Sequence, residues 1–369
     1  MVGDAKRVDE LMGGIIGTDN ERLPGLQAGR AIAALTVAYF HSYIALRAFP
    51  GSAQVPIGPL KDHGYLGVNF FFAISGYVIC LIASKPSFSA GAFAINRAFR
   101  VFPMYWVAMG AVAFLIVIGK YRPEPLGHFL YSMTLLPQSG EPAYDVSWTL
   151  ERELVFYTIA ACVVPLCGVR ALAVVLASLG FAGWYFRNPW TYHLVSTTHL
   201  DFLAGVIVFL IQSQAKRAGA IVPLVIGAAL LIYTRAQDFT ASVSISMGFI
   251  LLGMINLRLP WEKRPFSWFV QAGNASYSIY LLHYLTFVTM VYIAARMGLP
   301  AWMCEPWRYA TLLLCCLVSI MMWRVIELPM ISWGHQLTRT KHLNRRKSTY
   351  PVSIDAVDTP APDYRPRRA

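Results

Sequence analysis

The sequence predicts an all-α protein: a polytopic integral membrane helical bundle of about ten transmembrane helices, with both termini cytoplasmic. Three observations point there. Hydrophobic residues make up 56% of the 369 positions, charged ones only 14%, and mean hydropathy is +0.50, which excludes an ordinary soluble domain. Apolar runs long enough to cross a bilayer recur along the chain. Lys and Arg gather in alternate connections between those runs, the asymmetry of a protein that keeps its cationic loops inside. Helices rather than an open sheet follow, because backbone polar groups in hydrocarbon must be satisfied within their own segment.

The runs lie near 31–49, 64–84, 103–119, 150–168, 171–187, 198–213, 219–234, 241–257, 275–296 and 308–328. Residues 1–25 form a polar cytoplasmic leader without the apolar core of a cleavable signal peptide, so the first span is expected to be its own signal anchor. A single membrane domain is expected over 26–333. From 334 to 369 the composition shifts to Arg, Lys, Pro, Asp and Thr, predicting a basic, disordered cytoplasmic tail. Two stretches are not plain spans. Residues 85–102 form a cytoplasmic link carrying Lys85, Arg97 and Arg100. Residues 120–147, rich in Pro and Gly, hold an apolar piece at 129–136 that reads as a re-entrant or interfacial helix.

The net charge of +12 resembles a nucleic-acid signal until its distribution is read. Most of the 31 Lys and Arg fall on the predicted cytoplasmic side, while Arg30, Arg152 and Arg324 lie within spans. Topology therefore accounts for the excess. The expected partners are membrane lipids, with anionic lipid near the tail, and no nucleic acid. The six cysteines show neither metal spacing nor a disulfide framework; they read as small apolar packers, and no metal site is expected.

The segment Leu26–His41 places Arg30 and His41 inside an otherwise apolar helix. Eleven residues return the helix to within about 20°, so both share one face, roughly 17 Å apart along the axis. Facing lipid would cost the charged group about 2.5 kcal/mol or more, which favours a polar cavity. An imidazole there is suited to take a proton from an alcohol, the task of a general base in acyl transfer. The plainer reading of His41 is a hydrogen-bonded packing residue.

Further constellations follow in chain order. Residues 67–76 (GVNFFFAISG) set small residues in an aromatic run, which allows close helix approach or a turn where Ser75 offers its hydroxyl. Arg97 and Arg100, three apart, are spaced to clamp a phosphate or diphosphate with planar guanidinium forks; cytoplasmic topology alone also explains them. Trp148 marks an interface, and Glu153 sits about 7.5 Å further in, expected from the outer side. A buried carboxylate there can bind an acceptor hydroxyl, orient His41 or pair with an arginine. Tyr157 follows one turn on, and His283 ends the motif Ser276–His283 as a second polar residue lining a cavity or a packing residue. Arg324 and Glu327, spaced i,i+3, are expected to pair with each other.

The order of these motifs resembles the acyltransferase-3 family, polytopic membrane proteins that include bacterial O-acetylases of lipopolysaccharide and exopolysaccharide. The matching elements run from Arg30 and His41 through Phe70–Gly76, Arg97 and Arg100, Trp148–Tyr157 and Ser276–His283 to Glu327–Pro329, over about residues 24–333. The family often has an acidic residue where Gln27 stands and an aliphatic one where Gly29 stands; Gln27 is similar to the exopolysaccharide-type members. The resemblance implies a bacterial inner-membrane O-acyltransferase using cytoplasmic acetyl-CoA or a related acyl-CoA to modify a hydroxyl of a glycan or glycolipid, alongside polysaccharide biosynthesis machinery. It implies essential roles for Arg30 and His41, with Glu153 as the third catalytic candidate. Arg97, Arg100 and Ser75 fall on the donor side, and Trp148, Tyr157 and His283 on the acceptor side. Direct transfer and an acyl-histidine route are both open. The competing class is a transporter or flippase of a small acid or glycan precursor, which would use the same His, Arg and Glu as a relay; the lack of an internal repeat weakens it. A non-catalytic subunit of an envelope complex is a third, plainer reading.

Overall fold

The computed structural model describes residues 23–45, 54–186, 193–215, 219–234 and 240–349, with side chains to 339. Among them the fold is helical throughout, without a strand. Helix α1 is Pro24–Ala45. A short α2 (Gly58–His63) leads through a tight turn into α3, Gly67–Ala83. Helix α4 (Ala90–Val117) follows, then the short α5 (Leu126–Ser132) and the long α6 (Trp148–Tyr185). Next come α7 (His199–Ala215), α8 (Ile221–Thr234), α9 (Thr240–Asn256) and α10, Phe266–Asn274. Helices α11 (Ser276–Met297) and α12 (Cys304–Met322) are followed by a π-helical turn, Trp323–Glu327, and by α13, Leu328–Thr349.

Five segments among the described residues are long and apolar enough to cross a membrane: Gly58–Ala83, Ala90–Val117, Asp145–Tyr185, Ser276–Met297 and Ala301–Arg339. Three shorter apolar helices, His199–Gln214, Ile221–Tyr233 and Ala241–Asn256, fall where further spans are expected. The expected runs 150–168 and 171–187 are the two halves of α6. They break at Gly168, whose φ of 80° lies in the region where glycine alone is unstrained. Outward-facing side chains such as Val117, Leu166 and Leu313 are largely exposed, a surface that suits lipid and not water.

Close packing gathers the site. Helix α3 crosses α7 backbone to backbone: a Cβ on Gly205 would stand 1.9 Å from the Ala73 carbonyl oxygen, and one on Gly76 would stand 2.1 Å from that of Phe202. The small-residue reading of 67–76 is thus met at Gly76. One core joins α3, α4, α6, α7 and α11 through Phe72, Met104, Tyr105, Phe156, Phe202 and Leu281; a second joins α1, α3, α7 and α9. Helix α1 also lies against α10 and α11.

Two expectations change. The tail predicted as disordered from 334 continues as helix to Thr349, and its first turns pack on α4, with Gly334 against Phe99 and Thr338 Oγ1 3.5 Å from Asn96 Oδ1. The rest of the tail and most of the leader lie outside the described residues. The stretch at 129–136 holds α5 and then a reversal at Leu135, a buried non-glycine residue at φ 56°. Tyr105 and Trp106 of α4 tie it down by donating to the Ser132 and Met133 carbonyls.

Candidate active site

A pocket of about 750 Å³, its mouth included, opens between α1, α3, α4, α6 and α11. Arg30, Ser75, Arg97, Arg100, Glu153 and Tyr157 all line it. The spacing logic for α1 holds at this end: Arg30 Nε donates to Ser276 Oγ on α11 at 3.1 Å. Glu153 Oε1 accepts from Ser75 Oγ at 2.7 Å and, in a short bond, from the Tyr157 hydroxyl one turn along α6. The hydroxyl of Ser75 is therefore committed to a carboxylate. Arg97 stacks against the rings of Phe93 and Tyr157, with its guanidinium carbon 5.5 and 5.6 Å from their centroids. Its Nε is buried without a hydrogen-bond partner among the described residues.

Glu327 belongs to this neighbourhood, and sequence reasoning misplaced it. It is buried, accepts from Ser278 Oγ at 2.8 Å, and lies within electrostatic reach of Arg100 and Arg30. The expected pair with Arg324 does not form among the described residues, because Trp323–Glu327 is a π turn. An i→i+5 turn changes the angular spacing of its residues; here Arg324 points outward and Glu327 inward. Of the three roles open to Glu153, the structure places it with the arginines and away from the imidazole.

His41 lies at the other end of α1 and does not line this pocket. Its Nδ1 is 3.0 Å from the Val37 carbonyl oxygen and 3.2 Å from His283 Nε2. His283, fully buried, has its own Nδ1 2.6 Å from the Tyr280 carbonyl oxygen. Carbonyl oxygens only accept, so in the neutral rings both Nδ1 atoms carry hydrogen. His283 Nε2 is then a lone pair receiving a share of the His41 Nδ1–H. His41 Nε2 is left unprotonated, able to accept a proton or attack a carbonyl. Tyr280 stands between the regions: it lines the arginine pocket, and its ring centroid is 5.7 Å from that of His283. Its hydroxyl donates to the Val146 carbonyl and accepts from Thr149 Oγ1. Phe71, its ring 6.0 Å from that of Tyr280 centroid to centroid, lines the same pocket.

Trp148 also stays out of the pocket. It packs edge-on to Phe72, beneath the Arg152 guanidinium, whose Nη1 donates to Ser196 Oγ and Thr198 Oγ1. Two further buried networks carried little or no sequence signal. Glu305, Arg308 and Tyr43 lock the His41 end of α1 to α12: Tyr43 OH and Arg308 Nε donate to the two Glu305 oxygens, and Arg308 Nη1 to the Ser42 carbonyl. Glu151 accepts from Gln138 Nε2 and stands 2.9 Å from His193 Nε2. Only an i,i+3 spacing hinted at the first, and nothing local at the second.

An all-helical, apolar fold with arginines and an imidazole held inside it defines a membrane protein that works on a charged or polar substrate. The profile of the acyltransferase domain family (Acyl_transf_3) matches residues 23–325, most of the chain, and the protein belongs to that family. It is an acyltransferase of the O-acetyltransferase-like kind, which decides against the transporter and the non-catalytic subunit. Among curated proteins it is similar to the exopolysaccharide production protein ExoZ of Rhizobium meliloti (strain 1021), at 28% identity over 299 residues, covering 73% of this chain and 90% of the relative. No solved structure matches.

Proposed function

We propose that this protein is a bacterial cytoplasmic-membrane O-acetyltransferase, crossing the membrane about ten times with both termini inside. It moves an acetyl group from cytoplasmic acetyl-CoA to a hydroxyl of an exported polysaccharide. The observation that carries the chemistry is the ring arrangement of His41, whose Nδ1 faces the Val37 carbonyl and His283 Nε2; the tautomer this favours leaves Nε2 without a hydrogen. Exopolysaccharide is the acceptor class because the curated relative is an exopolysaccharide production protein.

The donor's phosphates dock at Arg97 and Arg100, and its thin pantetheine arm enters the pocket toward Arg30. Ser75 and Tyr157 hold Glu153 so that it orients this arginine-lined wall. Tyr280 and Phe71 swing aside to let the thioester reach His41. The acceptor oxygen attacks the thioester carbonyl as its proton passes to Nε2. The C–S bond breaks, and the leaving thiolate takes the proton back, giving ester and free CoA. An acyl-imidazole intermediate would use the same nitrogen and show ping-pong kinetics.

Polysaccharide acetyl content, measured by proton NMR in cells carrying His41→Ala, tests the reading. At wild-type protein levels acetylation is expected to fall by about 10²-fold or more, the usual worth of a positioned base. Unchanged acetylation would remove His41 from the chemistry.

A further inference from the structure

The arginine pair on α4 is part of a larger basic cluster. Helix α13 lies along the first turns of α4, with Gly334 backed onto Phe99, the Trp333 and Phe99 ring centroids 5.7 Å apart, and Thr338 Oγ1 near Asn96. This packing carries His335 and Arg339, one turn apart on α13, up to α4. The charged groups that act on His335 are Arg97, Arg339 and Arg100, all cations. Deeper in, Glu153 and Glu327 offset Arg30 and Arg100; around His335 no carboxylate does so among the described residues.

Cytoplasmic topology explains cations at a helix end, but it does not explain their convergence from two packed helices. Like charges held together repel, and a bound polyanion removes that cost. The Nε of Arg97, buried without a hydrogen-bond partner among the described residues, lies on the same side of the cluster. Exposure rises along the cluster: Arg97 and Arg100 are half-buried and line the pocket, His335 is half-buried outside it, and Arg339 is exposed. A CoA thioester runs in the same order outward from its acyl group, through pantetheine and diphosphate to the 3′-phosphorylated ribose.

We propose that His335 and Arg339 receive the 3′-phosphate of the acyl-CoA nucleotide, while Arg97 and Arg100 hold its diphosphate. This rests on the acyl-CoA reading of the donor pocket. The same cations would also suit the phosphate of an anionic lipid headgroup, and the experiment separates the two.

Equilibrium binding of CoA and 3′-dephospho-CoA is measured on the full-length protein in nanodiscs of zwitterionic lipid. The wild type is expected to prefer CoA by about tenfold, the worth of a charge-assisted contact. In the double variant His335→Gln/Arg339→Gln this preference falls to about one while dephospho-CoA still binds, which also reports folding; Arg339→Lys alone retains part of it. A preference that survives the double variant, or its absence in the wild type, overturns the assignment. So does a double variant that changes only the response to added phosphatidylglycerol, which would give these residues to lipid. Failure of the wild type to bind either nucleotide would sink the donor reading itself, and this assignment with it.

Discussion

The two ends of α1 are built on opposite electrostatic plans. At the Arg30 end, arginines from α1 and α4 meet a carboxylate from α6 in an open pocket, with the buried carboxylate of the π turn within electrostatic reach. At the His41 end, the imidazole has no ion pair among the described residues; its partners are a backbone carbonyl and a second imidazole, with the rings of Phe40 and Tyr284 alongside. Binding a phosphorylated donor calls for dense positive charge, whereas a base calls for a neutral ring in one tautomer. An arginine beside His41 would oppose its protonation. Separating the two along one helix by roughly 17 Å leaves only a weak Coulomb term between them. On the proposed function, the difference means that this helix divides donor binding from proton transfer.

That division is expected to show in kinetics. The His41→Ala loss is the largest effect. Next, His283→Leu removes the acceptor that helps hold His41 Nδ1–H, and kcat is expected to fall by about 10–100-fold with KM for acetyl-CoA little changed. His283→Gln restores an acceptor oxygen and should recover part of the rate, a rescue that a purely packing role would not give. Arg97→Ala or Arg100→Ala is expected to raise KM for acetyl-CoA by about tenfold while kcat changes less. A steady-state series that reversed these patterns, with His283 moving KM and the arginines moving kcat, would break the comparison. The smallest effect is predicted for Tyr280→Phe. It forfeits hydrogen bonds to Thr149 and Val146, worth about 1 kcal/mol each, and keeps the ring, so turnover should stay within roughly threefold. A large loss there would make the Tyr280 hydroxyl part of the chemistry and erase the partition.

Much of this site was legible because helical periodicity is a local rule. Arg30 and His41 do share a face: both meet α11, one at Ser276 and the other at His283. The clamp spacing of Arg97 and Arg100 places both on the pocket wall, and the small residue at Gly76 does allow a backbone-to-backbone crossing. Depth counted along one helix left the partner of Glu153 open, because distance from Trp148 says nothing about which helices stand beside it. The i,i+3 rule failed for Arg324 and Glu327 because it assumes an α turn where the chain makes a π turn. In the buried Glu305–Arg308–Tyr43 lock only the i,i+3 pair was readable, because Tyr43 comes from the opposite end of the chain.

By itself, then, the order of residues determined a lipid-soluble helical protein, the family, and a histidine and three arginines worth watching. Hydropathy, charge asymmetry and 3.6-residue spacing are properties of short stretches, readable without a partner. Only the tertiary structure decided that the carboxylates stand with the arginines, that His283 sets the tautomer of His41, that Tyr280 separates the two regions, and that α13 brings His335 to the arginine pair. Each of those is a contact between helices far apart in the chain, chosen by packing and hydrogen bonding that no local pattern encodes.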